Sequence, residues 1–414
     1  MLMKDLKEAF PLKYWAGFLT AAILAAISWV LMQFGARFTT LVDMVFPYVT
    51  RTVMEYLAAW SAPLEFCLWQ VIVVAAVVVL IATVVLMIVM KWNPVRWLGW
   101  VLAVCSLVYL LHTVIFGLNY YAGDLADDIR LEKRKYTVEE LASATTYYRD
   151  LANILAVQIK RDAKGDVVFD EFDKLALQAA DGFDTLVYDY SYPVFAGCTL
   201  PAKELGWADM YSSMGITGVT MGITGEAAVN PQIPDVTLPF TMCHEMAHRM
   251  SIATERDANF AAFLACMANE DIQYRYSAYF MAYRYCYNAL VNANTIASSG
   301  AAARIASGAT KELQHDMVQY SQFFSSKQKK AATKVANTVN DTYLKTSGDS
   351  AGIASYGEVC DLLVNWHYQT IVLPSITESA QIFDPYNEYQ VDLSGNVNAK
   401  KPGISYNENP GGIG

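Results

Sequence analysis

Three stretches near the N-terminus are almost purely apolar, and the rest of the chain mixes apolar and polar positions at helical spacing. Tyr14 to Phe34 is a 21-residue run without a charge. Phe66 to Met90 covers 25 residues with Gln70 as its one strongly polar side chain, and Trp97 to Leu118 is broken only by His112. A helix needs about 20 apolar residues to cross a bilayer. The pattern therefore predicts three transmembrane helices, at about 14–34, 66–90 and 97–118, within a membrane domain 1–118. The Val/Ile/Leu repetition of Phe66–Met90 covers every face of a helix, unlike the single apolar stripe of a soluble surface helix. Trp15, Trp92, Trp97, Trp100, Tyr120 and Tyr121 sit at run ends, where interfacial aromatics gather. The first run is too long for a secretory signal peptide and lacks a convincing cleavage site, so it is expected to be an uncleaved anchor.

Residues 119–393 are expected to form one predominantly helical domain. Thr137-Val138-Glu139-Glu140 is a capping-box start, and Leu141 to Ile159 continues at helical spacing. Asp166 to Leu177 suggests a second helix start after Gly165. Between Arg37 and Pro63, apolar residues such as Met44, Val45, Phe46, Met54 and Tyr56 are interspersed. A segment on the membrane surface, a segment under the domain and a plain connecting loop all fit that stretch. Met214 to Asn230 is punctuated by glycines with β-branched residues between, which predicts one or two short strands. Its glycines are too irregular for a phosphate-binding fingerprint. The aromatic crowd from Tyr274 to Tyr287 reads as helix packing, Lys311 to Lys334 as a solvated helix, and Val359 to Ile371 as a last helix carrying His367. From about Ser394 the chain turns Gly/Asn/Pro/Lys-rich, and 394–414 is expected to be a disordered tail. The fold class is thus mainly α, with a small β element.

Composition sharpens this picture. Apolar residues make up 54% and charged residues 17%, an excess concentrated in the N-terminal runs. A net charge of −10 with no Lys/Arg-rich stripe argues against nucleic-acid binding. Seven cysteines occur without a C-x-x-C pair, so no disulfide framework is expected. Lys4, Lys7 and Lys13 precede the first run, and Lys91 and Arg96 fill the tight link between the second and third. Basic segments stay in the cytoplasm, which puts everything after Leu118 outside it.

The candidate chemistry is concentrated in Cys243-His244-Glu245-Met246-Ala247-His248-Arg249. On a helix, residues four apart share a face, so His244 and His248 can point at one metal ion, with Glu245 beside them as a base for water. With 5 His and 17 Glu in the chain, chance supplies on the order of 0.002 H-E-x-x-H matches. A catalytic zinc wants a third protein ligand. Glu255 is the leading candidate, Asp257 the competitor, and Asn259 is placed to support a ligand by hydrogen bonding. Seven residues of continuous helix would separate His248 from Glu255 by about 10 Å. The chain must therefore turn between Arg249 and Thr254, with Thr254 capping the next helix.

H-E-x-x-H followed by Glu255-x-x-Ala258-Asn259 resembles the gluzincin metallopeptidases, whose third ligand is the glutamate of such a segment. More closely, the chain is similar to a family of bacterial membrane proteins of unassigned function, mostly from clostridia and relatives. These have three N-terminal crossings and an outer zincin-like domain. The resemblance rests on the three crossings, Gly215-Ile216-Thr217-Gly218, Thr224 to Asn230, Pro239-Phe240-Thr241 before the motif, Asp257-Ala258-Asn259-Phe260, and Ser355-Tyr356-Gly357. The chain departs at Ser251, where the family usually has Gly, at Arg249-Met250 for a Gln-Arg pair, and at Asp257 for a Glu.

These readings imply a membrane-anchored, zinc-dependent metallopeptidase in the cell membrane. Its partners would be the lipid bilayer and an extracytoplasmic polypeptide or cell-wall peptide substrate. His244, His248 and Glu255 would hold Zn2+, and Glu245 would activate water. A non-catalytic sensor or scaffold with a structural or vestigial zinc site is the alternative.

Overall fold

The computed structural model describes residues 12–197, 200–293, 295–349, 355–376, 389–391 and 397–399. The chain divides into two compact units, 1–365 and 366–414. The first is mainly α-helical.

Three of its helices are long and apolar enough to cross a membrane. They are α1 (Leu12–Arg37), α3 (Leu68–Val89) and α4 (Pro94–Ile115). The helix α2 (Thr39–Ser61) lies between α1 and α3 in the chain, so the stretch left open by the sequence is helical. Helices α1 and α4 meet at glycines: a Cβ on Gly17 would fall 2.5 Å from the carbonyl carbon of Gly99, so the two backbones approach as only small residues permit. Asn93 caps α4, its side chain accepting from the Arg96 amide at 3.0 Å, and Pro94 opens the helix, where a missing N–H costs nothing. Helix α3 buries no part of its apolar window.

A 3₁₀ turn (Gly117–Tyr121) leads into α5 (Leu125–Asp128) and α6 (Val138–Ala156). The Thr137–Glu140 capping box forms at the start of α6. The helix expected from Asp166 begins later, as α7 (Phe172–Tyr188). The Asp166 stretch is extended, Val167 bridging to Arg161, and the Asp166 carboxylate is bound by His315 at 2.7 Å. Tertiary contacts overrode the local pattern there.

The β element is a three-stranded sheet. Strand β1 (Lys203–Glu204) lies before α8 (Ala208–Met214), and β2 (Gly218–Met221) and β3 (Glu226–Val229) are the short strands expected between Met214 and Asn230, paired as a hairpin. The order is β1-β3-β2, with β3 central, parallel to β1 and antiparallel to β2. The two-residue β1 carries too short a pattern to be seen in sequence.

The core follows. Helix α9 (Leu238–Arg249) is buried along its entire length. It is enclosed by the hairpin, by α7, by α10 (Glu255–Ala268) and by α11 (Ile272–Asn292). Gly182 lets α7 press on α10, since a Cβ there would stand 2.0 Å from the Ala265 carbonyl oxygen. Tyr274, Tyr276, Tyr279, Phe280 and Tyr283 are buried in α11, so most of that aromatic segment is packing. Tyr148 meets Phe263 edge to face at 5.6 Å, a favourable aromatic geometry. Helices α12 (Ile296–Ser307), α13 (Lys311–Lys327), α14 (Lys330–Ser347) and α15 (Ser355–His367) complete the described series up to the second unit. The single solvated helix expected from Lys311 is broken at Gln328 and Lys329, where the Lys329 amide turns to the Ser213 carbonyl at 2.9 Å.

In the second unit, a π-helical turn (Tyr368–Val372) is followed by α16 (Leu373–Ile376), and the short strands Tyr389–Val391 and Val397–Ala399 pair antiparallel. Most of the tail expected from Ser394 lies outside the described residues. Among the described residues the cysteines, six in number, are free thiols.

Candidate metal centre

The helix α9 ends at Arg249 because the chain reverses there. Ser251 takes a left-handed conformation, φ 71°, which is costly for a residue with a Cβ. The Thr254 hydroxyl then accepts from the Asp257 amide at 3.3 Å and caps α10. The turn returns Glu255, the first residue of α10, to the last turn of α9. The Nε2 of His244 lies 3.1 Å from Glu255 Oε2, and the Nε2 of His248 lies 3.7 Å from the same oxygen. Among the described residues, His244, His248 and Glu255 are the one group of three or more His, Cys, Asp or Glu side chains whose ligand atoms converge, all within 4.8 Å of one another.

Three lone-pair donors focused on one point repel unless a cation lies between them, and two imidazoles with a carboxylate match zinc. The surrounding bonds favour that use. The His248 Nδ1 lies 2.8 Å from the Ile252 carbonyl; donating to it fixes the tautomer and leaves Nε2 free to ligate. His244 Nδ1 is buried without a hydrogen-bond partner among the described residues, and Glu255 Oε2 is buried facing the two imidazole nitrogens. Burial would raise the Glu255 carboxyl, but hydrogen bonding and charge from the two imidazoles outweigh it and hold it far below the ordinary range. Burial likewise opposes protonation of His248, yet the Glu255 carboxylate raises it to about 9. The electrostatic field thus invites positive charge at the focus of the three groups.

Glu245 follows His244 on the same helix. Its carboxyl is raised mainly by burial, against the lowering effect of both imidazoles and of Thr220. Thr220, on β2, donates its hydroxyl to Glu245 Oε2 at 2.7 Å. Gly218 lies two residues earlier on the same strand face, and a Cβ there would fall 2.4 Å from Glu245 Oε1. The edge strand of the sheet therefore lies directly on this carboxylate. The glycine and threonine alternation was visible in sequence, but not what it would face.

Asp257, the competing ligand, points elsewhere. It accepts from the Leu125 amide at 3.2 Å and from Arg256 Nε at 2.8 Å. Asn259 accepts from the Tyr285 hydroxyl at 3.2 Å, while its Nδ2 has no partner among the described residues. Of the other histidines, His315 pairs with Asp166 and His112 contacts the Tyr343 hydroxyl at 3.3 Å. A cavity of about 350 Å³ opens beside His244, Asn259 and Tyr285. A larger cleft of about 730 Å³, between α13 and α14, includes no member of the cluster.

Helix α2 grips the turn from the other side. Arg51 donates from Nε to the Met250 carbonyl at 3.2 Å and from a terminal nitrogen to the Ala196 carbonyl at 2.9 Å. The hydroxyls of Thr50 and Ser251 are 2.8 Å apart. Nothing in the sequence tied this segment to the histidine motif, because the contacts span about two hundred residues.

Fold and site together describe a mainly helical protein, with three helices long and apolar enough to cross a membrane and a buried His-His-Glu cluster outside them. The chain belongs to the family described as "Protein of unknown function (DUF3810)", whose model matches residues 44–364. Neither the curated proteins nor the solved structures include a match to the chain.

Proposed function

We propose that this protein is a membrane-anchored zinc metallopeptidase acting on polypeptides or cell-wall peptides outside the cytoplasm. The observation that carries the reading is the convergence of His244 and His248, on the fully buried α9, with Glu255, at the start of α10, next to Glu245. His244 and His248 through Nε2, and Glu255 through its carboxylate, would hold the ion. When bound, zinc supplies Lewis acidity that polarises an amide carbonyl and makes water nucleophilic near neutral pH.

The protein groups do the rest. Glu245 takes a proton from the attacking water and passes it to the leaving amine, a role suited to a carboxylate whose proton affinity burial has raised. The Thr220 hydroxyl orients Glu245 and lies on β2, the edge strand of its sheet. An extended peptide can add to that edge by main-chain hydrogen bonds, which would lay its backbone along the cluster.

The test is Glu245→Gln in the full-length protein. Bound zinc, measured by elemental analysis, should stay near one per chain. Hydrolysis of a peptide library should fall by about 10²–10⁴ or more. Undiminished cleavage by the variant excludes this mechanism, and wild-type protein that binds zinc without cleaving any peptide favours a sensor or scaffold.

A further inference from the structure

The cavity beside His244 contains a cation with no anion. Arg284, on α11, lines it together with Phe240, Tyr285, Tyr320, His244 and Asn259. The guanidinium lies over the Tyr320 ring, 4.2 Å from its centroid, and 5.2 Å from that of Tyr285. One terminal nitrogen donates to the Tyr320 hydroxyl. Its Nε is buried and has no hydrogen-bond partner among the described residues. Among the described residues, no Asp or Glu lines the cavity and no carboxylate pairs with Arg284. The chain carries a net charge of −10, so an arginine left without an acid is not a consequence of scarcity.

Buried donors on a guanidinium cost free energy unless an acceptor meets them. The planar fork of arginine matches a carboxylate with two parallel hydrogen bonds. A single cation walled by aromatic rings suits a monoanion with apolar neighbours; a phosphate dianion would call for more than one cation. The cavity also reaches His244, so a ligand anchored on Arg284 shares one cavity with the candidate metal centre.

We propose that this cavity is a carboxylate subsite and that Arg284 anchors the carboxylate of a peptide, either its C-terminus or an Asp or Glu side chain. That the ligand is a peptide rests on the metallopeptidase reading; that it is a carboxylate rests on Arg284. The aromatic stack pre-orients the guanidinium, so little side-chain freedom is lost on binding. Arg284 is a specificity-determining residue here and takes no part in proton transfer.

The experiment uses full-length Glu245→Gln protein in nanodiscs and three dansyl-labelled pentapeptides of alanine and phenylalanine. One ends in a free carboxylate, one in a carboxamide, and one is the carboxamide with a single internal Glu. Affinities are read by fluorescence anisotropy. One or both carboxylate peptides should bind at least about tenfold tighter than the neutral one, and whichever does so identifies the source of the anion. The preference should disappear in Arg284→Gln and survive in part in Arg284→Lys, which keeps the charge without the fork. A thermal melt checks that each variant is folded, and Tyr320→Phe, which leaves the cation in place, should weaken the preference less than Arg284→Gln. Equal affinity for all three peptides, no measurable binding, or a preference that persists in Arg284→Gln overturns the proposal. A carboxylate preference in a protein that never cleaves would leave the subsite standing and remove the peptidase.

Discussion

Glu255 and Asp257 are two residues apart on α10, and their surroundings assign them different tasks. Glu255 faces both imidazoles, whereas Asp257 is committed to the Leu125 amide and to Arg256, which also binds Asp124 at 2.7 Å. Replacing Glu255 with Ala should therefore lower the zinc content sharply, since two histidines alone make a weak site. Asp257→Ala should leave zinc in place and cost about 1–3 kcal/mol of stability, because it strips a buried amide of its acceptor and the Arg256 guanidinium of one of its two. Zinc content and melting temperature of the two purified variants separate the cases. Full zinc in Glu255→Ala with loss in Asp257→Ala would transfer the ligand role two residues along. Ser251 offers a second residue-scale test, because two effects oppose each other there. Its left-handed backbone costs about 1 kcal/mol, and its hydroxyl bonds to Thr50. Ser251→Ala keeps the strain and loses the bond, so it should destabilise by about 1 kcal/mol. Ser251→Gly loses the bond and relieves the strain, so its melt should stay close to wild type. A melt of Ser251→Ala equal to wild type would show that the bond contributes nothing, and one at or above that of Ser251→Gly would show that the left-handed backbone carries no strain.

At the scale of elements, what the sequence reveals depends on how local the cause is. The three long apolar helices are plain in the sequence because an unbroken apolar run states its own environment. The turn between His248 and Glu255 is also legible, since geometry alone forbids a continuous helix there, and Thr254 caps α10 as its position suggests. Helix α2 was not legible as a helix. Pro47 interrupts it, and apolar residues occupy both faces: Val42, Met54 and Ala58 are buried, while Leu41, Met44, Tyr48, Tyr56 and Trp60 are exposed. The Asp166 segment failed for the opposite reason, its helical pattern being overridden by distant side chains, Asp235 and Gln273, which take the Phe169 and Asp170 amides. Within the site, the meeting of His244, His248 and Glu255 could be read from spacing, with Asp257 left as a competitor. Thr220 and Arg284 could not, because each acquires its meaning from a partner on another element.

At the scale of the molecule, α2 joins the apolar helices to the candidate metal centre. Residues 38–63 follow the first of those helices, and the domain follows the third. Three crossings leave both on one side of a membrane, as the bonds from Arg51 to the Met250 and Ala196 carbonyls require; two crossings would separate them. With one face of α2 on the domain, its other face displays Met44, Tyr48, Tyr56 and Trp60, the last 87% exposed. These positions recur at helical spacing, and both ends of α2 are tied within a few residues to α1 and α3. For a helix so tethered, with an aromatic and aliphatic outer stripe, the prediction is a place in the headgroup region of a bilayer. In nanodiscs containing a photoreactive lipid, mass spectrometry should find labels on Met44, Tyr48, Tyr56 and Trp60 and none on the buried Met54. Labels confined to α1, α3 and α4 would remove α2 from the interface. The side is a separate matter, set by Lys4, Lys7, Lys13, Lys91 and Arg96, which favour a cytoplasmic N-terminus. A reporter active only in the cytoplasm, fused to the C-terminus, should be silent. A strong signal would place α2 and the cluster inside the cell, and with them the pool of peptides on which the site could act.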